Sequence, residues 1–311
     1  MSPKRKARRT LLKKQLTMHI FVWMGMLFLL IFSIIPMFGL SMAFRDYRIG
    51  DGFMGMFTGD WVGLRHFREF IGYRRFGQLL RNTLAISTLK LLFGFPLPII
   101  FAIMLSEMRG KRYKRVVQTV SYLPHFMSWV VVSGIMFSLL SANRGVVNEL
   151  LLHWGIIESP LLWLMMPQYY YGVAVVSELW KATGWNAIIY LAAIAGIDPG
   201  MYESAQIDGA GRLRRIWHIT LPSIKGTMSI LLILAIGGIL SSAGFEQSML
   251  LGNPMNISRS EIIELYVFRV GLGQMRYSFA AAAGMFQSVI SLILVLIANT
   301  AAKKLSGSSL F

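Results

Sequence analysis

Long runs without a charged side chain alternate with short polar stretches along this 311-residue chain. Ile20 to Phe44, Val116 to Asn143 and Tyr277 to Ala302 are each free of Asp, Glu, Lys and Arg. About 20 apolar residues of helix cross the hydrocarbon layer of a bilayer. Three more segments qualify once isolated charges are allowed: 82–105, which holds Lys90, Pro96 and Pro98; 169–196, which holds Glu178 and Lys181; and 225–246. The pattern predicts an all-α membrane protein with six transmembrane helices, near 20–44, 82–105, 117–140, 169–196, 225–246 and 278–300. Core helices of a soluble protein keep a polar face, which these runs lack.

An even number of spans puts both termini on one side, and the charges say which. Residues 1–19, 106–116, 198–225 and 303–311 carry eighteen Lys and Arg against four Asp and Glu. The opposite set, 45–81, 141–168 and 247–277, carries eleven against eight. Basic residues favour the cytoplasmic side, so both termini are predicted inside. Arg65, Arg68, Arg74 and Arg75 in the first outer stretch pull against the rule without reversing it. The domain reading is a basic cytoplasmic N-terminus at 1–19, a transmembrane domain at 20–302 with its core at 80–302, and a cytoplasmic tail at 303–311. Segment 20–44 is too long for a signal peptide and lacks a cleavage site after it.

Topology accounts for a net charge of +17 that would suggest nucleic acid in a soluble domain. The chain has no cysteine and its five histidines lie far apart, which argues against a metal site or disulfides. Gly110-Lys111 is followed by Arg112 and has no upstream glycine at phosphate-loop spacing, so ATP binding by this chain is not expected. No internal repeat of the kind that marks many secondary transporters is visible.

The stretch "MYESAQIDGAGRLRRIWHITLP", residues 201–222, is richer in signals than a connector needs. Asp198-Pro199 is a helix start: the carboxylate caps free N–H groups and proline suits the first turn. A short helix over 199–208 is predicted, ended by Gly209 or Gly211 in the left-handed conformation. A second helix starts near Arg212, and Thr220-Leu221-Pro222 reads as a restart into the fifth span. Ser204 and Ala205 are small enough for another surface to approach, and Glu203 offers a carboxylate to a basic partner. Taken alone, these residues also fit a plain capped surface helix.

The spacing Glu203-Ser204-Ala205, three residues, Gly209, nine residues, Ile219, one residue, Leu221-Pro222 resembles the E-A-A-x3-G-x9-I-x-L-P motif of binding-protein-dependent ABC importer permeases. Ser204 in place of alanine is the single departure, and Asp208-Gly209-Ala210 is also usual in that family. The resemblance extends over about 80–302. "VGLRHF" (62–67), "RNTLAIS" (81–87), "LPHFMSWVV" (123–131) and "GVVNELL" (145–151) are similar to carbohydrate permeases. "LWKATGWNAIIYLAAIAGID" (179–198) and "LLGNP" (250–254) are similar to the oligosaccharide and polysaccharide branch. It implies a type I ABC importer permease fold in the bacterial cell (inner) membrane. It also implies a second homologous permease, two ATPase subunits that hold ATP and magnesium, and an extracytoplasmic sugar-binding protein. No cofactor is expected on this chain. Residues 199–208 are then the coupling helix that docks into an ATPase cleft.

Charged side chains within spans face protein or water. Glu178, Lys181, Ala182 and Trp185 share one helical face, on which Glu178 and Lys181 are spaced to pair and Trp185 to stack on a sugar ring. Ala235, Gly238, Ser242 and Glu246, with Ile239, form a small and polar stripe on the fifth span. In the family the spans flanking the coupling loop line the pathway; small residues also serve simple helix packing. Asn143, at the outer end of the third span, is a further candidate, and Lys90 either snorkels or pairs with an acid. The alternatives are an ion-coupled secondary transporter, for which Glu178 and Glu246 are the only acids deep enough, and a membrane enzyme, for which no nucleophile–base cluster is found. The sequence leaves the sugar open.

Overall fold

The computed structural model describes Pro3–Ser306, with side chains described for residues 15–16, 18–301 and 303. The expected charges at Lys4 to Lys14 and at Lys304 lie outside the described side chains. The chain forms two compact units: residues up to Tyr73 with Val267–Phe286, and Arg74–Tyr266 with the chain beyond Gln287.

In the first unit a helix over Pro3–Leu29 (α1) runs on through a π turn at Leu30–Ile34 and a tightened 3-10 stretch at Phe38–Phe44. Its segment Met18–Phe44 is apolar enough to cross a membrane, and none of its most apolar stretch is buried against protein. Lipid is the environment that suits such a surface. Next, Arg45–Asp46 (β1) pairs antiparallel with Asp60–Trp61 (β2). Phe44 stacks on Trp61 at 5.5 Å, and Arg45 donates to the Gly59 carbonyl at 2.8 Å, closing the loop between the strands. The helix Arg65–Ile71 (α2) buries His66 and Phe70. Phe70 meets Phe279 and Phe286 edge-on, and the Tyr47 N–H donates to Ser278 Oγ.

The second unit opens with Phe76–Gly94 (α3) and Pro96–Ser106 (α4). The break at Phe95 follows from Pro96, which has no N–H to continue the ladder; the two halves still form one crossing-length segment, Phe76–Ser106. Lys111–Tyr122 (α5) and Trp129–Leu139 (α6) meet at a bend of 103°. Between them lies a 3-10 turn at Leu123–Phe126 containing Pro124, and Ser128 caps α6 by accepting from the Val131 N–H. Val146–His153 (α7) is fixed by Asn148, which bonds to Ser141, Leu161 and the Trp163 indole. Pro167–Ala195 (α8) is the central helix, 29 residues and therefore about 43 Å long.

After α8 come Pro199–Ile207 (α9) and Arg212–Arg215 (α10). The helix continues through a π turn at Ile216–Thr220 and ends at Ser223; Lys225–Gly237 (α11) then departs at 61°. The restart falls at Ile224 and Lys225, two residues beyond the expected Pro222. Phe245–Leu251 (α12), Ile263–Gly271 (α13) and Tyr277–Ser306 (α14) follow.

The predicted third and fifth spans are thus not straight rods. Segment 117–140 breaks near Met127, and segment 225–246 loses its helix after Gly237 and passes through Gly244 at φ 93°. Among the described residues three helices are long and apolar enough to cross, Met18–Phe44, Phe76–Ser106 and Tyr277–Ala301, with two bent pairs besides.

Two apolar clusters hold the second unit. Ile86, Tyr170, Val173, Ala174, Ala243 and Leu251 pack around the N-terminal part of α8. Ile99, Ala102, Ala187, Tyr190, Ile194 and Ile224 pack around the part nearer α9. Gly184 lies where α8 crosses α5: a Cβ there would run into the Ser121 carbonyl.

Candidate functional site

The first candidate region is the loop after α8. Asp198 Oδ1 accepts from the Gly200 N–H at 2.9 Å, so the cap read from the sequence is present. Gly209 ends α9 with φ 76°, while Gly211 is extended at φ −65° and precedes α10. Nothing lies within 4 Å of a Cβ built on Gly209, so its backbone angle, not crowding, calls for glycine. Tyr202 Oη and Thr220 Oγ1 are 2.9 Å apart, and Arg215 reaches Gln206 at 3.4 Å. These contacts fold the loop back on itself.

Glu203, Ser204, Asp208, Gly209 and Pro222 are exposed, Ala205 and Leu221 half-buried, and Ile219 buried. The motif therefore divides in two: its first half presents a surface, and Ile219 seats the loop on the helices behind it. Ile207 is 87% exposed, Leu213 72% and Trp217 66%. The motif spacing did not single out these three apolar side chains. Their signal in the sequence was apolar residues on a polar loop.

The second region is a cavity of about 350 Å³ enclosed by α3, α4, α8 and α11. Glu178, Ala182, Ala235, Gly238 and Ser242 line it, so the structure brings together members of both predicted stripes. Lys181, Trp185, Glu246 and Asn143 are not part of this lining. Glu178 pairs with Lys90 at 3.3 Å, not with Lys181. Lys181 instead donates to the His125 carbonyl at 2.7 Å, satisfying a group released where the α5–α6 helix breaks. Trp185 stacks flat on His125 with centroids 4.5 Å apart and meets Phe126 edge-on. One face of its indole is thus taken. Asn143 stands in the turn after α6, where its N–H donates to Ser141 Oγ, and Glu246 is exposed near the start of α12.

Sequence reasoning did not anticipate two features here. Lys90 Nζ also donates to the Ala243 carbonyl at 2.9 Å, beside the left-handed Gly244. Gln247 donates to Ala174 and to Ser177 Oγ, both at 2.8 Å, fastening α12 to α8. These contacts join residues 70 or more positions apart, a range that periodicity does not reach. Among the described residues no group of three His, Cys, Asp or Glu is arranged to hold a metal ion.

A family model described as "Binding-protein-dependent transport system inner membrane component" matches residues 94–307. Protein LplB of Bacillus subtilis (strain 168) is 41% identical over 300 residues, covering 96% of this chain and 92% of that protein. The polygalacturonan/rhamnogalacturonan transport system permease protein YteP of the same strain is 41% identical over 310 residues, covering 99% and 95%. Among solved structures, a chain of a bacterial ABC transporter involved in the import of the acidic polysaccharide alginate superposes with a TM-score of 0.85 at 38% identity, covering 96% of this chain and 99% of that one. The same transporter has been solved in complex with an alginate pentasaccharide-bound periplasmic protein.

Proposed function

The chain belongs to the binding-protein-dependent transport system inner membrane component family, and from that premise we propose that it is the permease subunit of an ATP-driven importer of oligosaccharides or polysaccharide fragments. The observation that carries the reading is α9: a capped helix with Glu203 and Ile207 exposed, framed by Asp198 and Gly209 at the motif spacing. Glu203, Ser204, Ala205, Asp208 and Gly209 form the coupling surface toward an ATPase subunit, and Ile219, Leu221 and Pro222 join it to α11. ATP and magnesium bind on that partner, and this chain holds no cofactor and performs no hydrolysis. The assembly contains a second homologous permease and two ATPase subunits, and an extracytoplasmic binding protein delivers the sugar.

The proposed topology has six crossings with both termini cytoplasmic, residues 1–19 and 303–311 as tails, and the transport core at 80–302. The three crossing-length helices, the two bent pairs and α8 are candidates for the six segments, and the charge distribution supports their orientation. The cavity between α3, α4, α8 and α11 is the proposed sugar path on this subunit. Glu178, Ala182, Ala235, Gly238 and Ser242 form its wall, and Lys181 and Trp185 fix the adjoining helix break. By their names YteP serves polygalacturonan/rhamnogalacturonan transport and the solved transporter imports the acidic polysaccharide alginate, which supports a polysaccharide fragment as cargo. The pairing of Glu178 with Lys90 weighs against an ion-coupled carrier, since it occupies one of the two acids placed deep enough to serve one.

Purification from the native host tests the reading. The chain should bring down a second permease and an ATPase. In proteoliposomes, hydrolysis should rise when the cognate binding protein is loaded with a cargo found by screening it against oligogalacturonides, alginate oligomers and neutral oligosaccharides. Uptake by the isolated chain without nucleotide would overturn it.

A further inference from the structure

The cavity has three walls of different origin. Lys90, Leu91 and Pro98 come from α3 and α4, Glu178 and Ala182 from α8, and Ala235 from α11. Helix α9 follows directly on α8 and leads through α10 into α11, so two walls are joined to it by short stretches of chain. The wall of α3 and α4 has no such connection, since α4 ends 93 residues before α9 begins: Ser106 against Pro199.

A side-chain bridge spans that gap. Arg212, the first residue of α10, donates from Nε to Glu107 Oε2 at 2.9 Å and from Nη2 to the Glu107 carbonyl at 3.1 Å. Glu107 is the residue that closes α4; its own N–H returns to Ile103 and Leu105. The guanidinium therefore sits at the C-terminal end of α4, where carbonyls lack helical partners and the helix dipole is negative. Two donors from one planar group fix direction as well as distance. On its other side α10 is tied to α9 by the Arg215–Gln206 hydrogen bond, and α9 is tied back by Tyr202 and Thr220. Among the described residues no other side-chain hydrogen bond joins residues 198–224 to α3 or α4. A lone exposed ion pair adds little to stability, and Arg212 is 56% exposed; its placement suits transmission better than stabilisation.

We propose that Arg212 is a positioning residue whose two hydrogen bonds to Glu107 carry movement of α9 into the α3–α4 wall of the cavity. The inference rests on the coupling role proposed for α9. It makes the loop a bracket with three legs: two covalent, to α8 and α11, and one polar, to α4. When an ATPase subunit displaces α9, all three walls shift together.

The chain has no native cysteine, so single cysteines can report each wall separately. Leu91→Cys reports the α3–α4 wall and Ala182→Cys the α8 wall; both line the cavity. In the assembled complex, with the other subunits cysteine-free, trapping with ATP and vanadate should change the rate of labelling by a hydrophilic maleimide about fivefold at both positions. With R212Q added, Ala182→Cys should keep its response while that of Leu91→Cys falls below about twofold. E107Q, which spares the backbone contact, should give the same pattern in weaker form, and it carries the test if R212Q fails to assemble. A full response of Leu91→Cys in both backgrounds overturns the proposal. Loss of both responses also overturns it, because Arg212 would then serve ATPase docking. If neither reporter responds before Arg212 or Glu107 is altered, the coupling role of α9 itself fails, and the bracket with it.

Discussion

The Lys90 ammonium lies 3.3 Å from the Glu178 carboxylate and 2.9 Å from the Ala243 carbonyl, so one cation joins α3, α8 and the unwound segment after α11. Lys90 is 7% exposed, whereas Glu178 is 31% exposed. Unwound backbone within a membrane requires a polar partner, which Lys90 provides. Replacing Lys90 with Met removes that partner and leaves Glu178 unpaired. The expected loss is about 2–3 kcal/mol, below the usual figure for a fully buried pair because Glu178 is partly exposed. The double variant Lys90→Met/Glu178→Met should recover part of it, since no orphan charge remains. Thermal unfolding in detergent measures both; a double variant no more stable than Lys90→Met would mean that the Ala243 contact dominates.

Two glycines in the second unit test close packing by contrast. A methyl on Gly184 would strike the backbone of Ser121, which cannot move without shifting α5. A methyl on Gly237 would meet Cγ2 of Val295, a side-chain atom and not backbone, but one whose β-branched χ1 is stiff in a helix. Gly184→Ala is expected to cost about 3 kcal/mol or more, and Gly237→Ala less, about 1–3 kcal/mol. Yield of the folded protein and its thermal stability check the order, and equal effects would show that the α5–α8 crossing is not as tight as its geometry indicates.

What was legible in the sequence follows from range. The Asp198 cap and the Gly209 terminator involve neighbours in the chain; the cap stands where the Asp-Pro signal put it, and Gly209 is the one of the two candidate glycines that is left-handed. The crossing-length segments could be read because apolar content is a local sum. The bends were not legible. The break before α6 depends on Lys181, 56 positions away, to satisfy the His125 carbonyl. Helical spacing suggested a sugar platform at Trp185, but His125 stacks on its indole. Helical spacing gives the direction of a side chain on its own helix and is silent on what another helix brings to it.

His66 gives the first unit a pH dependence. Its imidazole is pushed below the ordinary histidine range, chiefly by burial and further by Arg65; the hydrogen bond to the Arg45 carbonyl and the charges of Asp46 and Glu69 oppose this. A folded-state pKa below the unfolded value means that the unfolded chain takes up the proton more readily. The stability contributed by neutral His66 is therefore complete above about pH 6.5 and is lost as pH falls through the depressed folded value. Hydrogen-exchange protection across residues 45–71 of the purified protein, taken relative to the intrinsic amide rate at each pH, should be lower at acid pH than at neutral pH. His66→Gln, which keeps a donor for Arg45 but does not titrate, should flatten that difference; an unchanged profile would assign the effect to another group.

The coupling loop yields the sharpest set of variants, because its residues fail for different reasons. Glu203 is exposed on α9, so Glu203→Lys leaves the isolated subunit intact and places a like charge against the basic partner expected in the ATPase cleft, at several kcal/mol in a partly desolvated contact. Gly209 has open space around it and φ 76°. Gly209→Val therefore clashes with nothing outside the loop, but a β-branched residue resists that conformation at a cost of about 1–2 kcal/mol or more, and the end of α9 is re-aimed. Ser204→Ala restores the usual family residue at an exposed position and should be nearly silent. All three variants should insert in the membrane at normal levels. Glu203→Lys and Gly209→Val should abolish the rise in ATP hydrolysis that loaded binding protein produces, and transport with it, while Ser204→Ala keeps both. Full stimulation and full transport in Glu203→Lys and Gly209→Val together would reduce α9 to a capped surface helix with no part in coupling.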